Sequence, residues 1–167
     1  MKLHINDANI LMDIVKLNLT ASFLALEFEL YTTDFVFAEM EPEQQEQLLS
    51  HTLIKIGASP EDMTAIFELS ELHKGLSYED CSTWYFAQKM NGILVTGDGK
   101  LRTKARASGV EVRGMIYIIE QIKNQNLLPI IDCIEKLKSL KELNDRLPMD
   151  EIDNRIQTWN NEIDQNL

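Results

Sequence analysis

Four acidic residues, Asp7, Glu39, Asp80 and Asp98, fall where a chain delivers side chains to an edge instead of a core. Asp7 follows the short strand-like run Lys2–Ile5, and Asp98 follows the apolar run Ile93-Leu94-Val95-Thr96. Glu39 comes after Phe35-Val36-Phe37-Ala38, and Asp80 stands three residues after Ser77 at the opening of a helix. Carboxylates brought together in a confined space repel one another, so their pKa values rise unless a cation holds them ionised. Oxygen donors with no clustered His or Cys favour Mg²⁺ or Mn²⁺ over Zn²⁺. A site of that kind suits phosphodiester hydrolysis, in which one or two metal ions activate water and stabilise the attacking and leaving oxygens. Thr96 can add a hydroxyl to the same edge and Asn9 an amide. Taken singly, each Asp has a plainer explanation, a helix cap for Asp80 and a turn between Gly97 and Gly99 for Asp98. Their coincidence carries more than any one of them.

Other chemistries find less support. His4, His51 and His73 are scattered, and a lone His is more often packed or solvated than a catalytic base. Gly97-Asp98-Gly99-Lys100 lacks the spacing of a phosphate-cradling P-loop. Ser77 and Ser82 have no nucleophile-elbow setting, and Trp84-Tyr85-Phe86 reads as core beside other apolar groups. A phospho-accepting receiver domain also gathers acids at strand ends, but it needs adjacent acids after its first strand, and here Asn6 precedes Asp7.

The elements that must position the acids alternate in type. The stretch from Leu76 to Ala105 organises them: Ser77 with Asp80 is a helix-start box, the helix runs through Trp84 to Met90, and Gly92 ends it. Asp80 shares a stripe with Trp84 and Ala87, which places a carboxylate beside packed apolar surface. Ile93–Thr96 is short, β-branched and bracketed by glycines, as in a buried parallel strand, and ligands bind beyond the C-terminal ends of such strands. Upstream, Ile10 to Leu19 has helical spacing, and a second helix is predicted from Thr20 to Leu30. Asp13, in the first of these helices, is read as surface. Tyr31–Asp34 is turn-like, and Phe35–Ala38 has strand composition, so Glu39 enters just after a strand or in the first turn of a helix. Pro42 suits the first turn of a surface helix, Leu53–Ile56 reads as a strand, and Ser59-Pro60-Glu61-Asp62 is a strong helix start. Met63, Ile66, Phe67 and Leu69–Leu72 are expected to face inward from that helix. After Asp98 follow a helix closed by Gly109, a strand at Val110–Val112 and helical patterns from Met115 onward, including helices opened by Pro129 and Pro148. The fold class is α/β, a three-layer α/β/α sandwich around a small, mostly parallel sheet. Residues 1–125 would form the domain that holds the acids, and 126–167 a helical extension packed on or next to it.

With 167 residues the chain buries a core without a metal or disulfide to staple it. Cys81 and Cys133 lack ligand spacing, and the N-terminus carries no secretory pattern, so a reduced, cytoplasmic protein is expected. No apolar run approaches a membrane span. A net charge of -11 argues against a general nucleic-acid coat protein. Between Lys89 and Lys123, however, Lys89, Lys100, Arg102, Lys104, Arg106, Arg113 and Lys123 outnumber Asp98, Glu111 and Glu120. A basic strip beside an acidic cluster is compatible with positioning a phosphate backbone, with Lys100 and Arg102 nearest the acids in sequence.

Asp7 with Asn9, Glu39 after an apolar run, Leu76–Ser82, and Gly92–Asp98 with its threonine two residues before the acid together resemble the acidic motifs of the PIN-domain family. The resemblance extends through Arg102 and Ala105 to Val112-Arg113-Gly114 and covers nearly all of the first 120 residues. It implies a metal-dependent endoribonuclease, most often the toxin of a VapBC-type toxin–antitoxin pair, with RNA as substrate, an antitoxin as partner and dimerisation as a family expectation. Carried over by position, Asp7, Glu39, Asp80 and Asp98 would be the catalytic, metal-binding acids, and Asn9 and Thr96 supporting residues. The stretch from Pro42 to Gly75 is longer than in compact toxins of this type, and the tail after Asn126 is extra. The leading expectation is therefore a Mg²⁺- or Mn²⁺-dependent endoribonuclease. The rival is a catalytically degenerate PIN fold that binds RNA or protein through its C-terminal helices, motivated by the apolar face Ile152, Ile156, Trp159 and Ile163.

Overall fold

The structure, a computed structural model describing all of residues 1–167, is built on five parallel strands. These are β1 (Leu3–Asn6), β2 (Glu29–Thr33), β3 (Leu53–Ile56), β4 (Ile93–Val95) and β5 (Val112–Arg113), in the order β3-β2-β1-β4-β5. Every pairing is parallel, with Ile5 opposite Tyr31 on one side and opposite Leu94 on the other. The chain lays down β1, β2 and β3 toward one edge and then returns to the far flank of β1 for β4 and β5. The order thus reverses between β1 and β4, and the ends of those two strands open a crevice.

Ten helices cover the sheet: α1 (Ala8–Lys16), α2 (Thr20–Leu24), α3 (Asp34–Glu39), α4 (Pro42–Leu48), α5 (Pro60–Leu72), α6 (Tyr78–Lys89), α7 (Gly99–Ala107), α8 (Met115–Asn124), α9 (Ile130–Leu143) and α10 (Met149–Gln165). The central strands β1 and β4 are buried on both faces, and their side chains divide by the period-two rule. In β4, Ile93 and Val95 join the core shared with α1, α2 and α8, whereas Leu94 joins the core formed by α5, α6 and α7. The larger core also takes in Cys133, Leu137 and Leu140 of α9 and Ile152 and Trp159 of α10. The C-terminal apolar face that motivated a docking surface is thus spent on packing, with Trp159 only 2% exposed and Ile156 and Ile163 against the same core. Burying each such side chain stabilises the fold by roughly 1.5–3 kcal/mol.

Several local expectations are corrected. The helix from Thr20 stops at Leu24, and Glu29–Thr33, read as a turn preceded by helix, is strand β2. Phe35–Ala38, read as a strand, lies in helix α3. The reason lies at Thr33, whose hydroxyl accepts a hydrogen bond from Val36 N at 3.1 Å and caps the helix, while the β-branched Thr32 and Thr33 complete the ladder with β3. Gly92 does not provide the left-handed stop of α6. Asn91 takes that conformation at φ 51°, and Gly92 is needed because a Cβ there would overlap the Leu3 side chain and stand 3.1 Å from its carbonyl oxygen. The last strand begins at Val112, two residues later than expected. On α5 only Ile66 and Asp62 are buried, and Met63, Phe67 and Leu72 face outward. No helix is long and apolar enough to cross a membrane.

Candidate functional site

Asp7 is the N-cap of α1, directly beyond β1, and is 2% exposed. Its Oδ1 accepts from Ala8 N at 2.8 Å, and its Oδ2 accepts from the Thr96 hydroxyl at 2.7 Å and from Asn9 Nδ2 at 3.3 Å. Its backbone N–H continues the β1–β4 ladder to Val95 O at 3.0 Å. Thr96, fully buried, also accepts from Asp98 N at 3.1 Å, so a single hydroxyl joins the two strand ends. Asn9 reinforces the junction from above by accepting from Gly97 N at 2.9 Å. Thr96 and Asn9 therefore tie Asp7 to the Thr96–Asp98 segment.

Asp98 caps α7, its Oδ1 accepting from Leu101 N at 2.7 Å and its Oδ2 remaining without a hydrogen bond. Asp80 sits in the first turn of α6, where Ser77 and Asp80 form a reciprocal capping box with bonds of 2.9 and 3.0 Å. The box occupies Asp80 Oδ2 and leaves Oδ1 free. Glu39 is the last residue of α3, exposed at the rim, and makes no hydrogen bond or ion pair through its side chain. The sequence reading placed it after a strand or in a first turn, and the Thr33 cap is what moves it to a helix end. That cap is also tied to α6, since the Thr33 and Ser82 hydroxyls share a hydrogen bond of 2.9 Å. Thr33 and Ser82 were not singled out for this role, because two hydroxyls 49 residues apart leave no periodic trace in a sequence.

The acids sense one another. Burial pushes the Asp7 carboxyl up to about 6, with Asp80 and Asp98 adding to the rise against the Thr96 and Ala8 hydrogen bonds. Asp80 is raised by burial and by Asp98 and Glu79, despite the bonds from Ser77. Glu39 is raised by burial, then by Glu79, Asp7 and Asp80. None of the four carboxylates has a Lys, Arg or His within ion-pair distance. The arrangement is one anionic locus without a protein counter-ion. Its donors are all oxygen, and Asp80, Asp98 and Glu39 each keep at least one oxygen uncommitted, a chemistry that fits a hard divalent cation. No three acidic, histidine or cysteine side chains are drawn together tightly enough to form a ready coordination set. The donor chemistry therefore fits a metal ion, and Asp7, Asp80 and Asp98 are each held in place by a helix cap.

Beside Asp98 a cleft opens along α7, the β5–α8 turn and the α9–α10 connection. Lys100 and Arg102, expected near a substrate, both line it. Arg102 is half-buried and donates from Nη1 to Thr96 O at 3.0 Å, so it also braces the end of β4. Gly114 leaves room for it, since a Cβ there would stand 2.7 Å from Arg102 Nη1. Elsewhere the basic strip is dispersed: Lys89 pairs with Asp62 at 2.7 Å and Lys123 with Glu162 at 2.7 Å. Asp13, expected on the surface, is half-buried and lines the same cleft, with its carboxyl raised by burial. Only the helix–helix packing above α1 could have revealed it.

A family model described as DUF3368, PIN domain, matches residues 3–161. The chain belongs to the PIN-domain family. The match spans the sheet, the four acids and most of the C-terminal helices. Among solved structures, the crystal structure of PAE2754 from Pyrobaculum aerophilum has the same fold, at 13% identity and a TM-score of 0.56 over 74% of this chain and 98% of that one. The structure of VapBC-1 from nontypeable Haemophilus influenzae is similar at 16% identity and a TM-score of 0.49, over 67% of this chain and 97% of that one. No curated protein matches the chain. Membership places this PIN domain in a nuclease family, and the fold agrees with the expected α/β/α sandwich.

Proposed function

We propose that this PIN-domain protein is a Mg²⁺- or Mn²⁺-dependent endoribonuclease that acts in the cytoplasm as the toxin of a toxin–antitoxin pair. The observation that supports the reading is that Asp7, at the end of β1, is tied through the Thr96 hydroxyl to Asp98 beyond β4, while Asp80 and Glu39 raise the same carboxylates' pKa values or are raised by them, and none of the four has a cationic partner. Asp7, Asp80, Asp98 and Glu39 would hold the ion. When bound, a divalent ion supplies a water of lowered pKa and charge stabilisation for the departing oxygen.

The chain's own residues prepare that site. Thr96 fixes Asp7 against Asp98, Ser77 fixes the backbone and one oxygen of Asp80, and the Thr33–Ser82 bond holds the helix that ends in Glu39 against the helix whose first turn carries Asp80. Burial of Asp7 keeps water from its inner side and makes the carboxylate costly to ionise without a counter-charge. Lys100, which lines the same cleft as Asp98, would meet a phosphate. An antitoxin that covers this mouth, and a second copy of the chain, are the protein partners the family membership suggests.

The test is cleavage of single-stranded RNA by the purified protein with Mn²⁺, with Mg²⁺ and with excess chelator. Cleavage should require the ion and fall by at least a hundredfold in Asp98→Asn, whose backbone cap an asparagine preserves. Undiminished cutting in chelator, or full activity in Asp98→Asn, would overturn the assignment. The rival binding module predicts RNA binding without cleavage and no thermal shift with Mn²⁺.

A further inference from the structure

In a chain of net charge -11, one cleft collects Lys100, Arg102, Arg106, Arg113, Arg146 and Arg155. Against them stand Asp13, Asp98, Glu120 and Glu151, so the lining is net positive while the molecule is strongly negative. The cations come from two sides. Lys100, Arg102 and Arg106 rise from α7 next to the acid locus, whereas Arg146 sits on the α9–α10 connection and Arg155 on α10.

Several of these charges are committed within the protein. Arg102 braces Thr96 O, Arg113 pairs with Glu111 at 2.9 Å, and Arg155 pairs with Glu120 at 2.8 Å. Lys100 and Arg146 have no acidic partner and no side-chain hydrogen bond, and both are exposed. Lys100 comes from α7 and Arg146 from the α9–α10 connection, and both line the cleft. The Arg146 backbone is itself fixed, its N–H donating to Asn144 Oδ1 at 3.0 Å.

We infer that the α9–α10 connection is the second wall of a groove for the sugar–phosphate backbone of single-stranded RNA. Arg146 would contact a phosphate distant from the cut, and Lys100 one adjacent to it. The inference rests on the ribonuclease reading above and extends it to the C-terminal helices. A net-positive open cleft with two unpaired cations, Lys100 and Arg146, suits a polyanion, whose affinity comes from phosphate neutralisation and counter-ion release. The one aromatic ring on the cleft, Tyr117, is already occupied, stacked with Phe28 and His4 and covered by Arg113 at 5.4 Å from its centroid. A base-stacking platform is therefore missing, and the groove should read backbone instead of sequence. The packing of α9 and α10 on the main core makes the wall rigid, so its contribution is positioning of the strand and not capture by a mobile arm.

The experiment measures binding of a fluorescein-labelled single-stranded RNA by anisotropy in excess chelator, across a salt series, for the full chain. The variants are Arg146→Glu and Arg146→Ala, with Lys138→Glu as a control that makes the same charge change on α9 away from the cleft. Arg146→Glu should weaken binding about tenfold or more at low salt, and Arg146→Ala should lower the slope of log K against log salt by about 0.7, the share of one phosphate on a single strand. Lys138→Glu should change either quantity less than twofold. Melting curves verify that Arg146, being exposed, can be replaced without unfolding. Equal losses in Arg146→Glu and Lys138→Glu, no loss in either, or no RNA binding by the parent chain would overturn the inference. Because binding is read without metal, an enzyme that cuts RNA but is indifferent to Arg146 refutes the groove alone, whereas Arg146-dependent binding without cleavage refutes only the nuclease reading.

Discussion

Replacing Asp7 with asparagine should stabilise the metal-free protein at neutral pH, although Asp7 is the most buried of the four acids and the most fully hydrogen-bonded. A carboxyl that ordinarily titrates at 3.8 is held up at about 6, and at ~1.4 kcal/mol per pKa step this corresponds to roughly 3 kcal/mol. The sign follows from proton counting. Below 3.8 both folded and unfolded chains carry the proton and Asp7 contributes nothing. Between 3.8 and about 6 the unfolded chain has lost the proton while the folded chain keeps it, so stability falls as pH rises, and above about 6 the penalty is complete. Asparagine removes the ionisation and still caps α1 through its amide oxygen. With its oxygen on Ala8 N, its amide nitrogen stands where Oδ2 accepted from both the Thr96 hydroxyl and Asn9, at a cost of about 1–2 kcal/mol. The net gain at pH 7.5 is about 1–2 kcal/mol, or a rise in Tm of roughly 2–8 °C for a chain of this length. The assay is thermal or urea denaturation of parent and Asp7→Asn in chelator from pH 4 to 8. Because Asp80 and Glu39 titrate in both proteins, the difference between the two curves isolates Asp7 and its coupling to them. With Mn²⁺ the ordering should reverse, since an ion that binds the native state raises the parent's midpoint and not the variant's. A difference curve that is flat across this pH range would refute the claim that Asp7 is buried against its charge.

Thr96→Val should destabilise the protein by about 1–3 kcal/mol, because a buried hydroxyl that donates to Asp7 and accepts from Asp98 N is lost. Losing that donor pushes Asp7 higher still, so chelator melts should show a larger cost at pH 7.5 than at pH 4, and the Mn²⁺-induced shift should shrink. Gly92→Ala should cost about 1–3 kcal/mol without altering metal response, since its Cβ meets the Leu3 side chain and carbonyl on β1. Urea melts with and without Mn²⁺ check both parts of that prediction.

The local sequence determined much of this protein. Ser59 with Asp62 and Ser77 with Asp80 are capping boxes in the structure because a cap bonds residues only three apart, within reach of any short window. The apolar runs Leu53–Ile56 and Ile93–Val95 are strands for a similar reason, and Asp7 and Asp98 follow strands as read. Where the reading failed, a distant partner decided. Phe35–Ala38 has strand composition but lies in a helix, because Thr33 is held between a β-ladder with Ile56 and a hydroxyl bond to Ser82. Met63, Phe67 and Leu72 were expected inside, and α5, which packs against α6 and buries only Asp62 and Ile66, leaves them outside. Above all, nothing in local periodicity states that β4 returns to the flank of β1. That choice brings the Thr96 hydroxyl within 2.7 Å of Asp7 across 89 residues. Strand order is a property of the whole chain, and here it joins Asp7 to Asp98 through one buried hydroxyl.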